Sequence, residues 1–387
     1  MKLGNKTLEE WLIKPPVNTK KKGGDDKNYY AKFIILKEEL NNRLSETTRA
    51  AILDGIKQKT DELKTKFEQL DKKVEKEQIK ELIFNFEKVV WLNDHGSKHI
   101  DTVIERATQL VDKENIILNV REVYILLNSI LLHDIGNFYG RSDHESKILD
   151  AINDILPLIG YDGIEKKYIQ NIAKVHGGYA INKNNTRDPN TIITIQKTVK
   201  SDGYEIRKQL LASILRFADE LADDKYRADS TLLFERKLPK SSEVFHAYSF
   251  CLDTVHVKHS NHTIELHFKV PKEFLLEKVG KYDNEIYLID EIYERVLKMQ
   301  KERIYCEKFW KGEIMLDKIW VQIEFYHRKA QSQKDFHIHD NITFTLHDFQ
   351  YPTIENNIFE LCEKELTYHD SGEIINGENL AKRLKNE

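Results

Sequence analysis

Cysteine is scarce in this chain: Cys251, Cys306 and Cys362 are the only three in 387 residues, and no two form a CxxC pair. That argues against a disulfide framework and against a thiolate zinc site, and it fits a reducing cytoplasm. Excess charge of one sign is also missing. Lys and Arg number 60 against 64 Asp and Glu, a net charge of -4, so whole-molecule charge selects neither nucleic acid nor membrane as a partner. The longest apolar run, from Val123 to Ile135, is broken by Asn128 and Ser129 and is too short to span a bilayer. The opening residues, MKLGNKTLEEWLIKPP, carry acids and no apolar stretch, so they do not read as a signal peptide. There is no P-loop and no Rossmann glycine pattern, which argues against ATP-driven work. No internal repeat is evident. What is present is 40% hydrophobic and 32% charged residues, ordinary for a chain that buries a core. The length suits two or three domains.

Four regions follow from the patterning. Residues 1–28 read as a flexible leader, with Pro15-Pro16 and Lys20-Lys21-Lys22-Gly23-Gly24 breaking any period. Residues 29–90 read as an N-terminal helical segment, with Phe33, Ile34, Leu36 and Leu40 at helical steps. Within it, 61–81 is rich in Lys and Glu, with pairs such as Glu62-Lys66, and suits an exposed helix. Residues 91–228 read as mostly helical, with candidate helices at 97–112, 121–135, 144–158, 165–176 and 204–222 and a polar loop at 177–191. Residues 229–387 read as an α+β extension. Strand-like segments there are 232–234, 247–251, 254–258, 263–270, 318–326 and 341–349, with a helix over 285–309 and a helical tail from 353.

Chemistry concentrates in the third region. His133-Asp134 ends the apolar run Leu131-Leu132-His133-Asp134-Ile135-Gly136. Buried polar groups without partners cost several kcal/mol, so an adjacent His and Asp at the end of a core helix call for a ligand. Adjacent helical residues diverge by roughly 100° and meet one ion only at a helix end, which Gly136 is placed to supply. His99 lies in Asp94-His95-Gly96-Ser97-Lys98-His99, and Asp219 closes the apolar stretch Ile214-Leu215-Arg216-Phe217-Ala218. A His, a His-Asp doublet and a distant Asp on apolar helices form a metal-site constellation. Mixed imidazole and carboxylate donors suit one or two divalent ions of Mn, Fe, Ni, Co or Zn, with Mg the poorer fit. Such ions lower the pKa of bound water and polarise a phosphoryl oxygen. Asp134 is placed to bridge two of them. Cations near the motif are Arg141, Lys147, Lys174, Arg187, Arg216 and Arg227. Arg141, Lys147, Arg216 and Arg227 are taken as the substrate-binding set. Histidines 246, 256, 259, 262 and 267 fall in the strand-rich region, and several of them alternate with apolar residues and read as facing solvent or a partner.

On these residues the chain resembles the HD superfamily of metal-dependent phosphohydrolases. The resemblance implies a mainly α HD-domain helical fold over 91–228, followed by the α+β extension. It implies His99, His133, Asp134 and Asp219 as metal ligands. Members with two metals add histidines between the doublet and the last Asp, and His144 and His176 fit that role. The His95/His99 spacing is similar to the HN-x-x-H segment of cyclic-nucleotide phosphodiesterases, in which the earlier His protonates the leaving oxygen. That makes His95 the candidate general acid beside catalytic Asp134. Gly96 stands where that family has Asn, so a phosphodiesterase assignment does not follow. The stretch from Leu215 to Asp223, with Arg227 before a strand-rich region, resembles a bacterial HD subgroup found in conflict and antiviral defence loci. The implied activity is hydrolysis of phosphoester or phosphoanhydride bonds of nucleotides. The alternatives are a single-strand nuclease acting on nucleic acid and a nucleotide-sensing regulator that does not hydrolyse. The extension would cap the site or build a homo-oligomer.

Overall fold

The computed structural model describes residues 7–13, 27–43, 97–111, 118–135, 163–177, 180–181, 187–201, 203–327, 338–348 and 357–386, with single positions at 61, 64, 65, 68, 69 and 148. The helical part contains α1 (Leu8–Ile13), α2 (Lys27–Arg43), α3 (Ser97–Leu110), α4 (Val120–Leu132), α5 (Gly163–Lys174) and α6 (Lys208–Glu220). Two small hairpins interrupt it: β1 (Ala180–Ile181) with β2 (Arg187–Asp188), and β3 (Val199–Ser201) with β4 (Tyr204–Ile206). The α+β part contains α7 (Ser230–Phe234), α8 (Glu243–Cys251), β5 (Leu252–Lys258), β6 (Thr263–Pro271), α9 (Glu273–Leu276), β7 (Val279–Lys281), β8 (Asn284–Ile286) and α10 (Leu288–Trp310). It ends with β9 (Lys318–Tyr326), β10 (Ile338–His347), α11 (Ile358–Leu361) and α12 (Gly377–Asn386).

Helix α4 is the axis of the helical part, and every one of its residues is buried. Its start is fixed by a capping box. Asn119 Oδ1 accepts from the Glu122 N–H at 3.0 Å, and Glu122 Oε2 accepts from the Asn119 N–H at 3.1 Å. Such a pair satisfies two of the donors a helix start otherwise leaves open. Glu122 also binds Arg207 just ahead of α6, with Oε1 2.8 Å from Nε and Oε2 2.9 Å from Nη2. Helices α3, α5 and α6 pack around α4 and bury Val103, Ala107, Ile169, Ile172, Leu215 and Phe217. The expected leader also contributes. Leu8, Trp11 and Leu12 of α1 are buried, and the Leu8 N–H donates to Thr108 Oγ1 at 3.3 Å. These residues form a helix packed on the core where the sequence suggested a flexible stretch.

The second part is built on a four-stranded sheet in the order β10-β9-β6-β5. Strands β6 and β9 are parallel, with Glu265 opposite Trp320, and the outer pairs are antiparallel. Strand β9 alternates half-buried and buried residues along its whole length, as a sheet with one covered face requires. The crossover from β6 to β9 runs through α10, whose Trp310 ring sits 5.6 Å from that of Phe217 on α6. The two parts therefore share one hydrophobic core.

Several local readings change. Segments 232–234 and 247–251, read as strands, lie in helices α7 and α8. The helix expected from 204 starts at Lys208, after strand β4. The 177–191 loop contains the paired β1 and β2. The candidate helices 61–81 and 144–158 lie almost wholly outside the described residues. His246, in the histidine-bearing strand region of the sequence reading, is buried in α8, and its Nδ1 accepts the Asp229 N–H at 3.1 Å. The three cysteines are buried and unbridged. No helix among the described residues is long and apolar enough to cross a membrane.

Candidate metal centre

Four elements deliver the site. His99 is the third residue of α3 and is buried, with buried Val103 one turn along the same face. His133 caps the C-terminus of α4 at φ -61° and ψ -38°, and Asp134 follows in the turn. The doublet thus sits at a helix end, the place where both side chains can face one point. His176 lies two residues beyond α5, and Asp219 is the penultimate residue of α6.

The donor atoms of His99, His133 and Asp134 lie within 4.8 Å of one another. Asp219 Oδ1 is 3.1 Å from His99 Nε2 and 3.5 Å from His133 Nε2. Asp134 Oδ2 is 3.4 Å from His133 Nε2 and 3.8 Å from His99 Nε2. The other oxygen, Oδ1, is 3.7 Å from His176 Nε2. Two donors on one ion at about 2.1 Å lie roughly 3.0–3.4 Å apart, so only small side-chain shifts separate this cluster from a coordination sphere.

The tautomers suit the same purpose. His133 Nδ1 is 2.7 Å from the Ile130 carbonyl and His176 Nδ1 is 2.6 Å from the Ala173 carbonyl. A carbonyl only accepts, so each Nδ1 carries a proton and each Nε2 is turned toward Asp134, where it offers a metal its lone pair once it carries no proton of its own. Fixing the far nitrogen in this way is how proteins orient metal-binding histidines. His133 Nε2 is fully buried, with carboxylate oxygens only at the outer limit of hydrogen bonding. The residues therefore fit a divalent transition-metal ion.

Electrostatics agree with dense packing of opposite charges. Burial opposes a charge on His133, but Asp134 and Asp219 outweigh it and push its pKa up to about 9. Burial pushes His176 down, and the neighbouring His133 adds to the effect. Asp219 is held well below the usual carboxylate range: burial opposes this, but hydrogen bonds from His133 and His99 dominate.

Of the expected ligands, the structure brings together His99, His133, Asp134, His176 and Asp219. His95, Arg141, His144 and Lys147 lie outside the described residues, as do Gly136 and the side chain of Arg187. Lys174 is exposed. Arg216 has a job the sequence did not suggest. Its guanidinium grips Glu302 of α10 at 2.7 and 2.9 Å and donates to the Pro189 carbonyl and to Thr191 Oγ1. Thr191 Oγ1 in turn shares its one proton between the carbonyls of Val175 and Gly177, at 3.1 and 3.0 Å on either side of His176. Arg216 thus holds the turn that carries a ligand. Arg227 lies on a cavity of about 530 Å³ that opens beside Asp219.

Sequence reasoning missed Asp223. It lies four residues beyond Asp219, just past the end of α6, and binds Ser249 Oγ at 2.6 Å and Arg295 Nη1 at 2.9 Å. Its spacing from Asp219 was the available signal. Arg295 had none, because its place depends on how α10 packs against α6. A family model described as HD-CE matches residues 86–297. No curated protein and no solved structure matches the chain.

Proposed function

The chain belongs to the HD-CE family, and from that premise we propose that it is a metal-dependent phosphohydrolase that cleaves phosphoester or phosphoanhydride bonds of nucleotides. The observation that carries this reading is the buried cluster in which His133 and His176 are locked with Nε2 toward Asp134. His99, His133, Asp134 and Asp219 would hold a divalent ion, and His176 extends the donor set on the Oδ1 side of Asp134 toward a second. When bound, such an ion supplies Lewis acidity and an activated water. The chain's own part is to hold the Asp219 carboxylate ionised, to fix the proton on each Nδ1, and to bury His99 and His133 behind α4. Asp134, with its two oxygens turned to different histidines, is the residue placed to orient an attacking water. Arg227 on the adjoining cavity contributes charge complementary to a phosphate. His95 as proton donor to the leaving oxygen, His144 as a further ligand, and Arg141 and Lys147 as phosphate contacts belong to the same reading. So do a reducing cytoplasm and a role in antiviral defence.

The test is release of phosphate and nucleoside by the Mn-loaded chain from a panel of nucleotides and single-stranded DNA and RNA, beside Asp134→Ala. Release by wild type alone supports the hydrolase, and the product names the bond. Oligonucleotide cleavage with no turnover of mononucleotides would favour a nuclease. Stoichiometric metal without release from any substrate would sink hydrolysis and leave a nucleotide-binding regulator.

A further inference from the structure

The 530 Å³ cavity beside Asp219 has the size of a small-molecule site. Its walls come from both parts of the chain. Asp219, Asp223 and Arg227 belong to the helical side; Phe245 and Tyr248 lie on α8, Lys281 and Tyr282 on the β7–β8 hairpin, and Arg295 on α10. These groups fall in a sequence. Asp219 joins the metal cluster. Next comes Asp223, with Arg295 Nη1 at 2.9 Å and Arg227 Nη1 at 3.7 Å. The Arg295 guanidinium lies over the Tyr248 ring at 4.1 Å and the Phe245 ring at 5.4 Å. Phe245 meets Tyr282 edge to face at 5.2 Å. From Asp223 the guanidinium pair and then the aromatic pair thus follow one another by contact, in the cavity that Asp219 also lines.

The hairpin that carries Tyr282 is held firmly. A Cβ on Gly280 would meet the Lys240 carbonyl oxygen at 1.8 Å, so only glycine allows β7 to lie this close. The Gly280 N–H donates to Glu243 Oε2, and the Tyr282 N–H to the Ser241 carbonyl. Lys281 is tied to Glu291 and Glu294 of α10 at 2.7 and 2.6 Å. Tyr282 itself sits at φ +53° and is half exposed. That conformation is uncommon for a bulky residue, and here Tyr282 lines the cavity.

We infer that this cavity is the nucleoside-phosphate pocket of the enzyme, in which Arg227 and Arg295 hold the phosphate end beside Asp219 and Tyr282 with Phe245 holds the base. Specificity is then set by the α+β extension, while the helical part supplies the metal ligands. Five carboxylates line the cavity beside four cations, and of these Asp223 and Glu291 accept from the hydroxyl and amino groups that a nucleoside presents and a bare phosphate lacks. The inference rests on the phosphohydrolase reading for which end of the ligand meets Asp219.

The experiment is calorimetric titration of the full chain, with and without Mn, by the four nucleoside 5′-monophosphates, run in parallel on Tyr282→Gly, Tyr282→Trp and Arg295→Gln. Glycine relieves the positive φ, so the first variant is safe for folding, and tryptophan restores an aromatic face. At least one nucleotide is expected to bind wild type, to bind Tyr282→Gly and Arg295→Gln at least tenfold more weakly, and to recover with Tyr282→Trp. Absence of binding by all four, or affinities that Tyr282→Gly leaves unchanged, would overturn the pocket. Binding that responds to Tyr282 without phosphate release from the Mn-loaded chain keeps the pocket and sinks the hydrolase. Phosphate release with a KM indifferent to Tyr282 does the reverse.

Discussion

At His133 one proton stands where a metal ion would bind. Its pKa, pushed up to about 9 from an ordinary 6.5, means that the metal-free chain carries the imidazolium at neutral pH. The linkage sign follows. His133 stabilises the metal-free fold fully below pH 6.5, and that contribution is lost as pH rises toward about 9. His176 acts oppositely: held below its ordinary value, it costs stability as the solution becomes more acidic than its unfolded pKa. Asp219, held low, contributes above its unfolded pKa and loses that contribution as pH falls further. Metal-free melting temperature should therefore peak near neutrality and decline between pH 7 and 9.5. Metal replaces the His133 proton, so saturating Mn should remove the alkaline decline, and binding at pH 7 should release a proton, visible as a buffer-dependent heat. Asp219→Asn removes one partner of the imidazolium and should flatten the alkaline limb. A metal-free melting temperature that climbs steadily to pH 9.5 would contradict this account of the cluster.

Among elements, α4 and α6 decide whether the ligands converge. Asn119→Ala removes half of the capping box and should cost about 1 kcal/mol, read as a lower melting temperature with metal stoichiometry intact. Arg216 and Arg227, paired in the sequence reading, should separate. Arg216 is 4% exposed and its partner Glu302 is 18% exposed. Breaking a fully buried pair costs about 3–5 kcal/mol, and partial exposure of Glu302 reduces that to roughly 2–4 kcal/mol. Arg216→Ala should therefore lower the melting temperature sharply, whereas Arg227→Ala, which leaves Asp223 its closer partners Arg295 at 2.9 Å and Ser249 at 2.6 Å, should raise KM with a smaller loss of stability. Equal melting temperatures for the two variants would remove the distinction. This pair also marks where the sequence stops being informative. Strands β5, β6 and β9 were legible because one face is covered and the other is not, which leaves a period of two. Helix α8 was not, because Val244, His246, Ala247, Tyr248, Ser249 and Cys251 are all buried and a helix apolar on every side shows no period. His133, Asp134 and Asp219 were conspicuous as polar groups ending apolar helices, whereas His99, at the start of the charged helix α3, stood out only through the resemblance. The cavity was not, because its walls lie on α8, the β7–β8 hairpin and α10, whose juxtaposition no local pattern records.

For the whole molecule, the question is whether the extension is an appendage or part of the same cooperative unit. Its helix α10 meets α6 through Arg216–Glu302, through Lys298–Glu220 at 2.7 Å, and through the Phe217–Trp310 ring contact, while Arg295 reaches Asp223 just beyond α6. Helix α6 carries Asp219, so these ties run directly to the metal cluster. Unfolding the extension alone would strip Trp310 from the fully buried Phe217 and leave the Arg216 charge without its partner. Those costs exceed what a small helical part can absorb when net stability is only about 5–15 kcal/mol. Calorimetry should therefore show one transition, and Mn at a hundred times its Kd should move all of it upward, a gain of about 2.7 kcal/mol by mass action. Two transitions, of which metal moved only one, would make the extension an independent domain and would leave the shared cavity a loose interface.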